Sequence, residues 1–496
     1  MPIVASLILA MWGATAARLT AAAEPIGAPV VLYTDLISGP VSGGENDQGA
    51  YVSIFGRNFG DAAGDVHVYF GAREAAAYRY KGPSKGLADV QQITVQPGPI
   101  GSGPLPIKVV VNGQSSNTDH TFLPNPGKVL FVDNVEGSDW RAHANDIGKP
   151  WRHLQTPQRT GALADARPGD VIVLRGKAPW TDVGFENRWV RMWAETGTPP
   201  TGKPGTGYIT IEAYPGEDVY YHALPDTNGG FQGVSEAGAR SLGMYVVLAG
   251  LRIESVASSS SDGAPVNLQS SADGWRVVNN DLSWPNARNS ARAGGIAGNC
   301  RDCKLLGNHV HDIGGGSENH GIYLDGSEYG TAAAEVAYNW IAGIRAGNGI
   351  QSYNSHVGGK NEPNHDLDIH DNRIEDGGRY GINLSDGTRS ATVHDNSVTN
   401  MDYAGLRLNV AYDELHFDIY ANEFSNVCRR PTPVSGAVIN TWKASSGSIL
   451  IHDNSFAKGP ESTCSDGYVN DGEDSAVSFK SNRWVGFEPP GGKPTS

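Results

Sequence analysis

Short apolar segments alternate with polar turns through the second half of the chain, and each ends in the same phrase. Strand-like residues precede an asparagine, and another apolar residue follows two positions later. The asparagines recur at spacings of 28, 31, 33, 24, 26, 32 and 28 residues, and they are Asn280, Asn308, Asn339, Asn372, Asn396, Asn422, Asn454 and Asn482. Such a period is typical of a solenoid. Because Asn tolerates left-handed backbone angles, we expect each at a bend, bonding its counterpart in the next coil. The pattern predicts an all-β chain whose main domain is a right-handed parallel β-helix.

A second repeated phrase, Gly-apolar-x-apolar-x, follows the asparagine corner in each coil. It begins at Gly295, Gly321, Gly349, Gly381, Gly405 and Gly436. Because side chains alternate across a strand, the apolar positions should point inward and the x positions outward. The residues predicted to be buried are Ile322, Leu324, Ile350, Ile382, Leu384, Leu406 and Leu408. In the phrase at Gly436, the same rule places Val438 and Asn440 outward.

The first part of the chain has a different pattern, with short alternating strands separated by turn residues. Strands of this sort over residues 29–124 predict a small β-sandwich. The phrases GAYVSIFGRNFG (49–60), VHVYFG ending at Gly71, and PIKVVVNGQSSN (106–117) resemble the immunoglobulin-like IPT/TIG family. That resemblance implies an accessory module of a cell-surface or secreted protein.

A Pro-rich joint at 124–128 separates the sandwich from the predicted solenoid, which we place at residues 128–487. The run KVLFVDNVEGSD and the later ALADARPGDVIVLRG resemble the opening of bacterial β-helix enzymes, in which a short helix lies between two strands. Residues 177–207 lack a clear period and are expected to form a long loop. The tail 488–496 is rich in Pro and Gly and is expected to be disordered.

The N-terminus and the cysteines both indicate export. An apolar run followed by small residues predicts a signal peptide over residues 1–23, and hence a secreted protein in the periplasm, outside the cell or on its surface. Exported chains can keep disulfides. Cys428 and Cys464 fall in the loops of adjacent coils, so we expect a disulfide between them. Cys300 and Cys303 have no second pair with zinc-site spacing, which favours a local disulfide or two packed thiols.

Composition limits the partners. Gly supplies 64 of 496 residues while 39% are hydrophobic, which fits many turns and not disorder. The net charge of −15 argues against nucleic acid and anionic membranes as partners. The N-terminal apolar run is too short for a comfortable transmembrane helix, and no later segment reaches that length. We expect a monomer that acts on a polysaccharide, for which a solenoid offers a long open face.

The outward positions of the central coils carry aromatic, amide and charged groups, which suits a sugar-binding groove. The densest phrase is SENHGIYLDG at 317–326, where three residues alternate along one strand face. The candidate catalytic residues are His320, Tyr323, Asp325, Lys360 and Arg379. The candidate substrate-binding residues are Asn348, Gln351, Tyr353, Tyr380, Asn383, Arg407 and Asn409.

Two reactions fit these residues. In β-elimination on a uronic-acid polymer, His320 or Tyr323 would transfer a proton, while Lys360, Arg379 or Arg407 would neutralise the carboxylate. A bound Ca²⁺ ion could also do the latter, although no dedicated acidic loop is evident. Glycoside hydrolysis needs two carboxylates about 5–9 Å apart. Its candidates are Asp325 and Asp386, with Asp402 and Glu375 as reserves.

The chain as a whole resembles secreted bacterial β-helix polysaccharide lyases and related carbohydrate-active enzymes. This likeness rests on the coil phrases and on the opening segment. The Asp-Pro-His motif of alginate epimerases and the paired-Asp phrases of polygalacturonases are both missing. The resemblance implies a polysaccharide lyase, with a glycoside hydrolase or a non-catalytic glycan-binding or adhesion protein as alternatives.

Overall fold

The computed structural model describes residues 27–60, 65–181, 190–193, 202, 207–222, 230–234, 245–255, 263–268, 272–287, 293–326, 330–354, 362–409, 414–430, 432, 434–441, 447–470 and 477–490. The predicted signal peptide and Lys360 lie outside these ranges, as does most of the predicted tail. No helix among the described residues is long and apolar enough to cross a membrane.

A two-sheet sandwich opens the described chain. Its strands are β1 (Val30–Thr34), β2 (Ser38–Pro40), β3 (Val52–Arg57), β4 (Val66–Phe70), β5 (Arg73–Glu74), β6 (Ala77–Pro83), β7 (Gln91–Gln96), β8 (Leu105–Val111), β9 (Gln114–Ser115) and β10 (Thr121–Asn125), with a 3₁₀ turn at Glu45–Asp47. One sheet has the order β1-β3-β7-β6 and the other β2-β10-β8-β4-β5, with β9 paired to β8. The sandwich is immunoglobulin-like, as predicted.

The rest of the described chain winds into a parallel β-helix. Its elements are β11 (Val129–Val132), α1 (Ala162–Asp165), β12 (Val171–Leu174), β13 (Val190–Trp193), β14 (Ile209–Ala213), β15 (Tyr220–His222), β16 (Phe231–Val234), β17 (Val246–Ala249), β18 (Arg252–Glu254), β19 (Val266–Leu268), β20 (Arg276–Val278), β21 (Asp281–Trp284), β22 (Ala293–Gly298), β23 (Lys304–Leu306), β24 (His309–Ile313), β25 (Asn319–Gly326), β26 (Glu335–Ala337), β27 (Trp340–Ala342), β28 (Ile350–Asn354), β29 (Leu367–His370), β30 (Arg373–Gly377), β31 (Ile382–Ser385), β32 (Ser390–His394), β33 (Ser397–Met401), β34 (Leu406–Asn409), β35 (Leu415–Tyr420), β36 (Glu423–Ser425), β37 (Val438–Asn440), β38 (Gly447–His452), β39 (Ser455–Ala457), β40 (Tyr468–Asn470), β41 (Val477–Lys480) and β42 (Arg483–Val485). The predicted strand–helix–strand opening corresponds to β11, α1 and β12. The expected loop at 177–207 is wrong in part, because it contains β13.

These strands stack into three parallel sheets. Sheet 1 is β11-β12-β14-β17-β20-β23-β26-β29-β32-β35-β38-β41. Sheet 2 is β13-β16-β19-β22-β25-β28-β31-β34-β37-β40. Sheet 3 is β15-β18-β21-β24-β27-β30-β33-β36-β39-β42. The seven Leu and Ile residues predicted to be inward are at most 1% exposed, so the predicted core is confirmed.

The asparagine ladder forms at the corner between sheets 1 and 3. For example, Asn339 Nδ2 donates to Asn372 Oδ1 at 2.9 Å, and Asn372 Nδ2 donates to Asn396 Oδ1 at 2.9 Å. The left-handed residue, however, is the one before each ladder Asn, with φ of 60° at Tyr338 and 50° at Asp371. The expectation of a left-handed Asn is therefore off by one position. The preceding residue makes the turn, which leaves the Asn amide free to point along the stack.

The sandwich packs against the outer face of sheet 1. Apolar residues of the two units form one buried cluster, in which Tyr33 of β1 stacks on Tyr338 with ring centroids 5.2 Å apart. Arg276, which is buried, donates through Nη2 to Thr34 O at 2.6 Å and through Nε to Asp35 O at 3.0 Å. Sheet 1 is therefore covered at its early coils, whereas the candidate residues that the structure describes lie on sheet 2 or directly before its strands.

Two disulfides lie in loops of the solenoid. Cys428 and Cys464 are bonded, with Cα atoms 5.8 Å apart, which confirms the predicted pair. Cys300 and Cys303 are bonded to each other, so the local-disulfide alternative is the correct one.

Candidate functional site

The register of sheet 2 brings the predicted site residues into adjacent columns. Tyr323 of β25 lies beside Gln351 of β28, which lies beside Asn383 of β31 and then Arg407 of β34. Parallel strands are about 4.8 Å apart, so Arg407 is roughly 14 Å along the stack from Tyr323. Asp325 is in register with Tyr353. The sequence pattern therefore placed the central columns correctly.

Outward does not mean exposed on this face. His320 and Gln351 are each 5% exposed and Asn383 is 3% exposed. Asn348 Nδ2 and Asn383 Nδ2 donate to the same acceptor, Gln351 Oε1, at 2.5 and 2.6 Å. The amides therefore form a buried polar network along the sheet. These positions are therefore outward in register, as predicted, but buried.

The partly exposed candidates differ from this buried set. Asp325, Tyr353, Arg379, Tyr380, Arg407 and Asn409 keep intermediate exposure. Arg379 donates to Ser317 O at 3.3 Å, which ties the coil of β31 to the loop before β25. Asn409 Oδ1 accepts a hydrogen bond from Thr441 Oγ1 at 2.6 Å. A ligand on sheet 2 would therefore first meet the aromatic and guanidinium groups.

The protonation state of His320 follows from its contacts. The backbone N–H of Asn348 donates to His320 Nδ1 at 3.0 Å, so this nitrogen must be the acceptor. Burial, and then the charge of Arg379, lower the pKa of His320 to about 3. The ring is neutral at ordinary pH, with its proton on Nε2. His320 is therefore a hydrogen-bond donor on this face and is unsuited to act as the base. Its ring meets Tyr323 edge to face, with centroids 5.0 Å apart.

Two guanidinium groups flank the ring of Tyr380. The Cζ atom of Arg407 lies 5.0 Å from the ring centroid and that of Arg379 lies 5.6 Å from it. Burial is the main reason that the pKa of Arg407 is lowered. Among the described residues, Arg407 Nε and Asn383 Oδ1 are buried without a hydrogen-bond partner. This part of sheet 2 thus brings two guanidinium groups close together around one aromatic ring.

The carboxylates considered for hydrolysis are not grouped together. Asp402 is paired with Arg429 and Arg430, each at 2.9 Å. Glu375 belongs to sheet 3, where it accepts a hydrogen bond from Trp340 Nε1 at 2.6 Å. Asp325 and Asp386 remain near the face of sheet 2, both partly buried.

In the last coils the register departs from the prediction. Arg407 lies beside Ile439, and Leu408 lies beside Asn440, which is fully buried. The outward placement of Val438 and Asn440 is therefore wrong by one residue, and a one-residue shift exchanges the two faces of a strand. Gly405 N bonds Ala437 O, so the strand after Gly436 aligns one residue later than the phrase suggests.

Two groupings were missed from the sequence. Asp281, His309 and His311 meet on the outer face of sheet 3, with ligand atoms within 4.8 Å of one another. A cavity of about 230 Å³ between the sandwich and sheet 1 is lined by the carboxyl groups of Asp35 and Glu212. The sequence does carry a signal for the first group. Asp281 and His309 each directly follow a ladder Asn, so they occupy the same position in neighbouring coils. The second needs the docking of the two units, which no local pattern encodes.

Comparison with known proteins gives matches to two family models. Residues 37–123 match the IPT/TIG domain, which confirms the predicted module. Residues 254–471, less than half of the chain, match the family described as "Periplasmic copper-binding protein (NosD)". No curated protein matches the chain.

Several solved structures are similar in part. The pectate lyase Pel9A shares 12% identity over 74% of this chain and 81% of its own, with a TM-score of 0.37. The catalytic unit of a GH87 α-1,3-glucanase from Streptomyces thermodiastaticus shares 12% identity over 88% and 87%, with a TM-score of 0.33. The A-module of the Azotobacter vinelandii mannuronan C-5 epimerase AlgE6 shares 11% identity over 64% and 86%, with a TM-score of 0.24. Such low scores and identities do not identify a reaction or a substrate.

Proposed function

We propose that the chain binds a uronic-acid-containing polysaccharide on the outer face of sheet 2 and cleaves it by β-elimination. The observation that carries the proposal is the positive patch around Tyr380, where Arg379 and Arg407 both approach the ring. The whole chain has a net charge of −15, so this patch is a local exception. Guanidinium groups bind carboxylates with directed hydrogen bonds, which suits a uronate.

The proposed reaction breaks the C–H bond next to the carboxylate and the bond from the β-carbon to the glycosidic oxygen. The carbon–hydrogen electron pair forms the new C=C bond, and the leaving oxygen takes up a proton. Arg379 would stabilise the charge that develops on the carboxylate of the reacting sugar, whereas Arg407, roughly 14 Å along the stack from Tyr323, would bind the carboxylate of another sugar unit. In this proposal Tyr323, as the phenolate, takes the proton from the carbon and then, as the phenol, returns it to the leaving oxygen. Neutral His320 would donate from Nε2 to a substrate oxygen, because its Nδ1 already accepts from Asn348.

Hydrolysis is the second candidate reaction, and the positions of two of its four candidate carboxylates argue against it. Asp402 is engaged by two arginines, and Glu375 lies on sheet 3. The pair Asp325 and Asp386 remains, and hydrolysis would require both. A non-catalytic glycan-binding protein is the third possibility, and it shares the same surface.

The location that we propose is outside the cytoplasm, as a secreted or periplasmic protein. Its support is the pair of disulfides, because such bonds persist in oxidising compartments. A polysaccharide substrate is accessible there.

The test is incubation of the full chain with a panel of acidic and neutral polysaccharides. Ultraviolet absorbance of unsaturated uronates is the expected product signal. New reducing ends without that absorbance would instead establish hydrolysis. Retention on one polymer without any product would leave a binding protein.

Single substitutions then distinguish the roles of the individual residues. Under elimination, Tyr323→Phe should lower turnover by about 10²-fold or more, the scale of a proton-transfer group. Asp325→Asn should keep measurable activity. Arg407→Gln should raise KM for the acidic polymer, while the matched exposed control Arg373→Gln on sheet 3 should not. Loss of all turnover in Asp325→Asn with a silent Tyr323→Phe would reverse the assignment in favour of hydrolysis. Unchanged circular dichroism is required of every variant.

A further inference from the structure

Two imidazoles and one carboxylate converge on the outer face of sheet 3, which is a different sheet from the one proposed to bind the polysaccharide. Asp281 of β21 is in register with His309 of β24, and His311 follows two residues later on the same side of the strand. Asp281 Oδ2 lies 3.2 Å from His309 Nδ1, and Asp281 Oδ1 lies 3.1 Å from His311 Nε2. The three groups thus come from two neighbouring coils and meet at one point.

Surrounding contacts fix the orientation of both rings. His311 Nδ1 is 2.8 Å from Asp312 Oδ2, which turns Nε2 towards Asp281. The His309 ring is stacked between His311, at 4.2 Å, and Trp340, at 4.1 Å and 12° between planes. A carboxylate on the far nitrogen and a fixed ring plane are the usual supports of a metal-ligating imidazole.

The spacing matches the ligand set of a single ion. All three ligand atoms lie within 4.8 Å of one another. Zinc binds imidazole nitrogen and carboxylate oxygen at about 2.0–2.2 Å, so two ligands of one ion are separated by roughly 3–3.5 Å. The Asp281 contacts to both histidines fall in or near that range. We propose that Asp281, His309 and His311 bind a divalent first-row transition-metal ion of the Zn²⁺ class, which links two adjacent coils.

The other histidines of the solenoid show why this cluster is different. His394 and His452 each have carboxylates at both ring nitrogens, with Asp395 and Asp368 around His394, and Asp453 and Asp418 around His452. The two carboxylates therefore lie on opposite sides of one imidazole ring in each of these sites. Among the described residues, the Asp281 cluster is the one that gathers three metal-ligating groups.

The ligand chemistry sets the expected selectivity. Imidazole nitrogens favour Zn²⁺, Cu²⁺ and Ni²⁺, whereas Ca²⁺ and Mg²⁺ require a shell of oxygen ligands. Three protein ligands leave further positions for water. The ion should therefore bind reversibly and stabilise the folded chain by mass action.

The test uses the full chain, free of any affinity tag and stripped with a chelator. Zn²⁺ binding is measured by calorimetry and by metal analysis after dialysis, and thermal unfolding is followed with and without Zn²⁺. We expect one equivalent of Zn²⁺ and a higher Tm, with Cu²⁺ also bound and Ca²⁺ without effect.

Substitutions decide whether this cluster is the site. Asp281→Asn, His309→Gln and His311→Gln should each weaken Zn²⁺ binding at least tenfold and abolish the Tm shift. Asp312→Asn, which changes a positioning residue, should weaken it by about 10–100-fold. The matched controls His394→Gln and His452→Gln should bind Zn²⁺ as the unmodified chain does. One equivalent retained in all triad variants, or lost equally in the controls, would overturn the assignment. Binding of Ca²⁺ with equal affinity would contradict the proposed ion class.

Discussion

At the scale of single residues, His320 shows how one contact changes a chemical role. The sequence placed it beside Tyr323 and allowed it to act as a base. The backbone N–H of Asn348 occupies Nδ1, and burial lowers the pKa of the ring to about 3. The same residue is therefore a neutral donor. The hydrogen bond that fixes the role of His320 comes from Asn348, which lies 28 residues later in the next coil.

The first prediction concerns the tautomer of His320. Nuclear magnetic resonance of imidazole-labelled protein should show one histidine with its proton on Nε2 and no titration between pH 5 and 8. His320→Gln should remove that signal alone. Because the folded pKa is lowered, His320 should also contribute no limb near pH 6.5 to a profile of kcat/KM. A limb there that vanishes in His320→Gln would contradict the neutral-donor assignment.

At the scale of elements, the asparagine ladder fixes the corner of every coil that carries it. Each inner member accepts from the backbone and the amide of the previous Asn, as Asn372 does from Asn339 at 3.1 and 2.9 Å. Its own Nδ2 donates to Asn396 and to Val336 O. These groups are buried, so each needs its partner. The ladder is thus a continuous set of satisfied polar groups, not a set of independent turns.

The second prediction follows from that continuity. Asn372→Ala should lower the free energy of unfolding by about 3 kcal/mol or more, because several buried groups lose partners that cost about 1–3 kcal/mol each. Asn482→Ala should cost less, since Asn482 has 8% exposure at the end of the ladder, where water can replace the lost bonds. Urea unfolding of both variants measures the difference. Equal losses would show that the bonds act one by one and that position in the stack has no effect.

At the scale of the whole molecule, the sandwich covers sheet 1 and buries two acids at the junction. Asp35 and Glu212 are both nearly inaccessible. Burial raises the pKa of Asp35 to about 6 and raises that of Glu212 well above its ordinary value. Among the described contacts, Glu212 Oε1 is buried without a hydrogen-bond partner. Burial at the junction of the two units therefore disfavours the charged form of both carboxyl groups, and most strongly that of Glu212.

The third prediction gives the sign of the resulting pH dependence. A raised folded pKa contributes stability that is complete below the unfolded pKa and is lost as pH rises through the folded value. Glu212→Gln removes the ionisable group, so the variant should gain stability relative to the unmodified chain above the ordinary pKa of 4.5. The gain should approach about 1.4 kcal/mol per pH unit until the folded pKa is reached.

Thermal unfolding at pH 4, 6 and 8 measures this gain. The exposed control Glu423→Gln should show no growing difference across the series. If the advantage of Glu212→Gln stayed constant with pH, Glu212 would not be held neutral by the junction.

The sequence by itself determined the parallel β-helix, the ladder, the inward Leu and Ile residues and the Cys428–Cys464 bond. The coils, the ladder and the inward residues repeat, so spacing and alternation encode them locally, and the disulfide followed from the position of its two cysteines in loops of adjacent coils. The central columns of sheet 2 followed for the same reason. The IPT/TIG phrases likewise identified the sandwich from its own strands.

Tertiary structure decided what depends on partners far apart in the chain. Burial of His320 and Gln351 arises from packing that alternation along one strand does not describe. The shift at Asn440 depends on how β37 aligns with β34, and the loops between coils vary in length. The Asp281 cluster needs two coils in register, and the acidic junction needs the sandwich on sheet 1. Local pattern sets which way a side chain points, whereas non-local packing sets what it meets there, and its chemistry follows from the latter.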